Sequence, residues 1–318
     1  MLSGNRHDDE VARAAWLYYV GKLSQQEVSD RLGISRFKVI RMLAEASDQG
    51  MVRISVEHRT SHMLSLADQL ARAFDLKEVQ VAPVPVSPDD HDYARLAVGI
   101  LAASWFARVA GGDQNLTIGV GWGRTLSAMA DNLSGLKNRN LTFVSLMGSL
   151  THATRTAPGD VCVRLAAQTG GRAMLLPAPF VADNAAACEM LLRQRLVDEA
   201  LTVARNATHA IMSVGECRDG AILFESGIFS PAQIEELRVN GVVGDCCGVF
   251  YTADGQIADI PLNRCTPCVK PDEMRQMDVV VTAGGVTKAA ATLAVLRAGF
   301  VDRLLTDENL ARAILEAA

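Results

Sequence analysis

The chain has 318 residues, with 31 basic against 36 acidic side chains and 49% hydrophobic residues. At about 150 residues per domain this favours two domains, and there is enough apolar surface to bury a sizeable core, so one small module and wholesale disorder are excluded. The start, MLSGNRHDDE, is polar and acidic where a signal peptide needs a basic and then an apolar stretch; no apolar run approaches a membrane span, so a cytoplasmic chain with no membrane partner is expected.

Charge is uneven along the chain. Residues 1–60 carry nine Lys+Arg and eight Asp+Glu, a net of +1, which leaves a net of −6 downstream. The polar stretch Glu57–His62 follows a β-like run and precedes a helical pattern of Leu64, Leu66, Ala67, Leu70, Ala71 and Phe74. Two domains are expected, 1–58 and 59–318.

In the first, Ser24-Gln25-Gln26-Glu27 has the capping-box form, so a helix should start there, carry Val28 and Leu32 inward and stop at Gly33. Ser35 is the next N-cap, and Val39, Met42, Leu43 and Ala46 share one face of the helix that follows. Ala12, Ala15, Trp16, Leu17 and Val20 are expected to complete the core from a preceding helix. This is a helix-turn-helix pattern whose partner is double-stranded operator DNA. Arg36, Phe37, Ile40 and Arg41 point away from the core, with Lys38 at the flank. Arg can bond guanine, Ser35 and Lys38 can hold phosphates, and Phe37 and Ile40 suit thymine methyls. Gly50–Val56 resembles a β-wing.

Beyond residue 58, apolar β-rich runs alternate with helical patterns. Val79–Pro83, Leu116–Val120, Leu141–Leu146, Ala173–Leu176, Ala210–Val214, Val279–Thr282 and Leu304–Thr306 are the expected strands. Continuous apolar strands joined through helices imply an α/β fold with a parallel sheet covered on both faces. Cys246–Thr252 and Ile257–Ile260 are expected to form a hairpin around Ala253–Gln256.

The first expected ligand element is Gly121-Trp122-Gly123-Arg124-Thr125, between strand and helix, where free amides, Arg124 and Thr125 can hold an anion. A nicotinamide site fits poorly, because the spacing is GxGxG and no acidic residue stands at the end of the next strand. Gly284-Gly285-Val286-Thr287-Lys288 is a second such loop, and Gly148-Ser149 and Gly215-Glu216 occupy equivalent places at strand ends. The six histidines show no metal spacing, no serine sits in a nucleophile elbow, and no cofactor is expected. The alternative is an isomerase-like enzyme with Glu216 or Asp245 as base beside Lys288. Cys246, Cys247, Cys265 and Cys268 read as buried or reactive free thiols rather than a metal or redox site.

Taken together, LSQQEVSDRLGISRFKVIRMLAEASDQGMVRI, GVGWGRTL, LPAPF, the Val243-Gly244-Asp245 run with Asp254-Gly255, AGGVTKAAATLAVLRAG and LLTDENLA resemble the SorC family of sugar-responsive transcriptional regulators, grouped with DeoR-type regulators. The resemblance spans nearly the whole chain. It implies a DNA-binding domain, a Rossmann-like effector domain similar to sugar-phosphate isomerases but used as a sensor, and a homo-oligomer, dimer or tetramer. The effector it implies is a sugar, polyol or sugar phosphate. By the same resemblance the phosphate loop falls on Gly121, Gly123, Arg124 and Thr125, the second-loop glycine on Gly148, the acidic contact on Glu216 and the lysine on Lys288. Two features depart from the family: Met147-Gly148-Ser149 lacks an arginine that some members place there, and the CTPC of Cys265–Cys268 is foreign to it.

Overall fold

The computed structural model describes residues 6–52, 61–84, 90–150, 158–225 and 227–318. The chain divides into two compact units, Met1–His58 and Arg59–Ala318.

The first unit holds α1 (Arg6–Ala15), α2 (Gln25–Leu32) and α3 (Arg36–Asp48). Ser24 caps α2: its hydroxyl accepts from the Glu27 amide at 3.3 Å while Glu27 accepts from the Ser24 amide at 2.7 Å. Such a cap contributes about 1 kcal/mol. Gly33 ends the helix in the left-handed region at φ 64°, and Ser35 caps α3 by accepting from Lys38 N. Val28, Val39, Met42, Leu43 and Ala46 form the core with Val11, Ala14 and Ala15. Here α1 and the turn after it depart from the sequence expectation: Ala12 is exposed while Val11 and Ala14 face inward, and Trp16 and Val20 are exposed at 59% and 62%. Trp16–Val20 is a π turn, closed by Gly21 N donating to Trp16 O. Its extra residue per turn rotates the side chains off the inward stripe of an ordinary helix. The wing expected over Gly50–Val56 lies, beyond Val52, outside the described residues.

The second unit alternates helix and strand: α4 (Ser61–Phe74), β1 (Glu78–Ala82), α5 (His91–Val109), β2 (Thr117–Val120), α6 (Arg124–Asn132), β3 (Thr142–Ser145), α7 (Pro158–Thr169) and β4 (Arg172–Met174). There follow α8 (Ala185–Leu192), α9 (Arg195–Arg205), β5 (His209–Glu216), α10 (Ile222–Glu225), α11 (Pro231–Val239), β6 (Val242–Cys246), β7 (Val249–Thr252), β8 (Asp278–Ala283), α12 (Ala289–Arg297), β9 (Arg303–Asp307) and α13 (Glu308–Ala317). The main sheet is parallel in the order β1-β9-β8-β5-β2-β3-β4, so each expected strand has its counterpart in it.

Both faces are covered, as a parallel sheet requires. Ile118, Phe143, Ile211 and Val280 pack against Val98, Phe106, Leu126, Met129 and Leu165 of α5, α6 and α7. Their strand neighbours Met212, Val144 and Val281 point the other way, against Leu70, Leu201, Leu293 and Ile314 of α4, α9, α12 and α13. At the β1 end, Arg303 bonds Glu78 and, at 2.9 Å, Asp278, tying β9 to the strands on either side.

The hairpin is displaced from its expected position. β6 and β7 pair antiparallel, Asp245 opposite Phe250, and the chain turns at Cys247-Gly248, both at positive φ (54° and 76°). That is the conformation of a tight primed turn, and it splits Cys246–Thr252 in two. Ala253–Gln256 is a second turn beyond it, after which Ile257 makes only an isolated bridge to Tyr251.

Candidate functional site

β2 is followed in the sheet by β3 and β4 on one side, and β5 by β8 and β9 on the other. Connections leaving the carboxyl ends of β2 and β5 therefore diverge, and the gap between them is where an open α/β sheet has room for a ligand. A cleft of about 450 Å³, its mouth included, opens there, lined by Trp122, Gly123 and Arg124 after β2, Val214, Gly215 and Glu216 of β5, Leu223 of α10, and Lys288 after β8.

Glycines shape this edge by excluding side chains. Gly123 caps α6 at φ 134°, with Ser213 3.1 Å from where a Cβ would stand. Gly285 sits at φ 99° and donates its amide at 2.7 Å to Asp307, a buried carboxylate that also caps α13. That bond fixes the turn Val286–Lys288 at the head of α12 and aims Lys288 along the sheet edge.

Lys288 is buried and donates to the Val214 carbonyl. Burial pulls its pKa down to about 8, against the attraction of Glu216, and the charges of Arg124 and Arg95 act in the same direction as burial. Glu216 is also buried; its Oε1 has no hydrogen-bond partner among the described residues, and its Oε2 lies 3.6 Å from Arg218. Arg124 is exposed at the mouth, and burial of part of its length together with the charge of Arg95 lowers its pKa. Trp122 lies with its ring 5.4 Å from Phe180, which continues to Phe229 and Phe250. An indole face, a carboxylate with a free lone pair and two cations are the groups that grip a polyhydroxylated molecule.

Of the residues singled out from sequence, Trp122, Gly123, Arg124, Gly215, Glu216 and Lys288 meet in the cleft. The others stand behind it or apart. Gly121 backs onto Met212, and Thr125 is fully buried, its hydroxyl without a partner among the described residues. Gly148 is squeezed by Pro179 O, 2.0 Å from where a Cβ would be, and Ser149 bridges to Pro179. Asp245 is buried behind Gly215 and accepts from Gly248 N at 3.1 Å; burial raises its pKa to about 6, against the Gly248 bond and Lys288. Val214, Leu223 and the supporting Asp307 were not singled out as site residues, and Asp307 stands inside the LLTDENLA motif.

In the first unit, Arg36, Phe37 and Arg41 lie on the solvent face of α3, with Phe37 85% exposed. Arg36 reaches Gln25 at 3.4 Å, and Lys38, half-buried, lies 3.7 Å from Glu10. Cys246, Cys247, Cys265 and Cys268 are buried free thiols, and burial raises their pKa values. Among the described residues no group of three or more His, Cys, Asp or Glu side chains could hold a metal ion, and no helix is long and apolar enough to cross a membrane.

A parallel α/β sheet with a charged cleft at its switch point is the architecture of a small-molecule-binding domain. The family model described as "Putative sugar-binding domain" matches residues 58–316. The erythritol catabolism regulatory protein EryD of Brucella abortus is 33% identical over 97% of each chain, and the deoxyribonucleoside regulator of Bacillus subtilis is 30% identical over 95% of this chain and 96% of its own. The full-length sorbitol operon regulator SorC of Klebsiella pneumoniae shares the fold, with a TM-score of 0.70 at 24% identity over 98% of this chain and all of its own. The chain belongs to this sugar-binding-domain family of transcriptional regulators.

Proposed function

We propose that the chain regulates a carbohydrate or polyol catabolic operon, with residues 1–58 as a helix-turn-helix domain on operator DNA and residues 59–318 as its effector-binding domain. The cleft would take a sugar, a polyol or a phosphorylated derivative: Trp122 against the carbon skeleton, Glu216 accepting from hydroxyls, and Arg124 and Lys288 donating. The observation that carries this reading is Glu216, a buried carboxylate oxygen that lines the cleft without a partner, since such an orphan acceptor is costly until a donor arrives. α3 would enter the major groove, with Arg36 and Arg41 at base edges, Ser35 and Lys38 on phosphates, and the exposed Phe37 against thymine methyls. The protein would work as a cytoplasmic homo-oligomer, and the effector would act through its differential affinity for two states of that oligomer.

A sensor is favoured over an isomerase because, of the two candidate bases, Asp245 lies behind Gly215 rather than in the cleft lining, which leaves Glu216 without a second carboxylate beside it for acid–base work. The experiment is a thermal-shift screen of sugars, polyols and their phosphates, followed by operator-binding assays and analysis of the recovered ligand. A ligand at about 100 times its Kd should add roughly 2.7 kcal/mol to the stability of the effector domain. It should alter operator affinity and be recovered chemically unchanged. Conversion beyond stoichiometry would instead make the domain an enzyme.

A further inference from the structure

The cleft has a third cation that does not line it, and its position follows from helix packing. α5 and α6 lie against each other so closely that a Cβ on Gly99 would stand 2.5 Å from the Ala128 Cβ. Both helices run back from the same sheet edge, flanking β2, and are therefore parallel. One turn before Gly99 is Arg95, and one turn before Ala128 is Arg124, so the two arginines face each other at the helix starts where the cleft opens. The same end of α5 rests on the second glycine turn: a Cβ on Gly284 would stand 3.0 Å from Arg95 Cα, and one on Gly285 3.4 Å from His91 Nδ1. Arg95, Arg124 and Lys288 are thus gathered at one end of the site, and Arg95 and Lys288 are each more than nine-tenths buried.

Three cations so placed repel one another, against the attraction of Glu216 and Asp92. Arg124 forms no ion pair with the described residues, and Lys288 bonds only a carbonyl. Arg95 is held by Asp92, three residues earlier, whose own side chain is 89% exposed to water. A buried guanidinium paired with an exposed carboxylate is an exchangeable arrangement: an incoming anion can replace Asp92, and Asp92 loses little on returning to solvent. The orphan Glu216 oxygen excludes an anion from its own end of the cleft and suits a hydroxyl there.

We propose that Arg95 is a specificity-determining residue of the effector site, which with Arg124 binds the phosphate of a phosphorylated sugar or polyol, and that Asp92 is the internal carboxylate this phosphate displaces. The inference rests on the effector-binding reading above and deepens it, setting the ligand's direction: phosphate towards the first turns of α5 and α6, hydroxyls towards Glu216.

The test is calorimetry on the full-length chain with aldose and polyol phosphate monoesters, each beside its neutral parent, and with inorganic phosphate alone. The wild type is expected to prefer a monoester to its parent. Arg95→Gln should weaken that monoester by about tenfold or more, the value of a charge-assisted bond, and leave the parent within about twofold. Arg95→Lys should recover part of the loss. Asp92→Asn should act in the opposite direction, tightening the monoester up to about fivefold by removing a competing surface pair, and this holds the test open should Arg95→Gln fail to fold. Equal binding of the monoester by wild type, Arg95→Gln and Asp92→Asn, or a wild-type preference for the neutral parent, would overturn this inference and leave the effector-binding reading standing. No binding of any sugar, polyol or ester by the wild type would overturn both.

Discussion

Gly215 and Asp245 are partners across the antiparallel ladder of β5 and β6, and the Asp245 carboxylate fills the space that a side chain at 215 would need. A Cβ there would stand 2.0 Å from Asp245 Oδ1. The glycine thus lets a buried acid sit directly behind the cleft wall. Gly215→Ala should cost about 1–3 kcal/mol by overpacking, read as a lower urea midpoint. Adding Asp245→Ala should recover part of the loss, whereas additive costs would show that the two sites are uncoupled.

The stability of the second unit should respond to pH in two separate windows. Asp245, held at about 6 in the fold, keeps its proton more tightly than the unfolded chain does, so its contribution is present below the ordinary carboxylate pKa and is lost as pH rises to about 6. Lys288, held at about 8, binds its proton less tightly than when unfolded, so stability should be regained as pH rises from about 8 towards the ordinary lysine value. Urea titrations across this range should show the acid limb missing in Asp245→Asn and the alkaline limb missing in Lys288→Met. Unchanged limbs in these variants would assign the pH dependence elsewhere.

Operator binding should reside in the first unit. Deleting residues 1–58 should abolish it while leaving a remainder that unfolds cooperatively, since each unit has its own core. Arg41→Ala should cost about 1–3 kcal/mol on operator DNA if the side chain reads a base. An equal loss on random DNA would place it on phosphate instead, with a shallower salt dependence.

Trp122 offers an optical readout of effector binding. Its ring lines the cleft against Phe180, whereas Trp105 is buried under the sheet and bonded to Glu78. Effector binding should change the intrinsic fluorescence, and Trp122→Phe should abolish that change. A signal that persists in this variant would have to arise from Trp16 or Trp105.

Periodicity and caps carried much of this architecture into the sequence. The apolar runs marked the parallel strands, and Ser24, Gly33 and Ser35 marked the ends of α2 and α3, because these signals depend on neighbours within a few residues. What stayed hidden depends on contacts distant in sequence or on unusual backbone. Cys247 takes a left-handed conformation that no cysteine announces, so the hairpin turn was expected six residues too late. Trp16 sits in a π turn that breaks the helical phase of α1. Arg95 reads as the ordinary polar residue of an apolar helix, and its place beside Arg124 follows only from the Gly99–Ala128 approach.

The strand order has a consequence for how the molecule is made. β1, the first strand of the second unit, pairs with β9, the last, and Arg303 clasps it to the interior strand β8 through Glu78 and Asp278. A nascent chain therefore carries β1 as an unsatisfied edge until nearly its whole length has left the ribosome, tens of seconds after the first unit at about 5–20 residues per second. The first unit needs nothing from that closure for its own core. Each newly made molecule thus passes through an interval in which the element proposed to read DNA is complete and the element proposed to sense the nutrient is not. A message truncated before codon 303 would make that interval permanent.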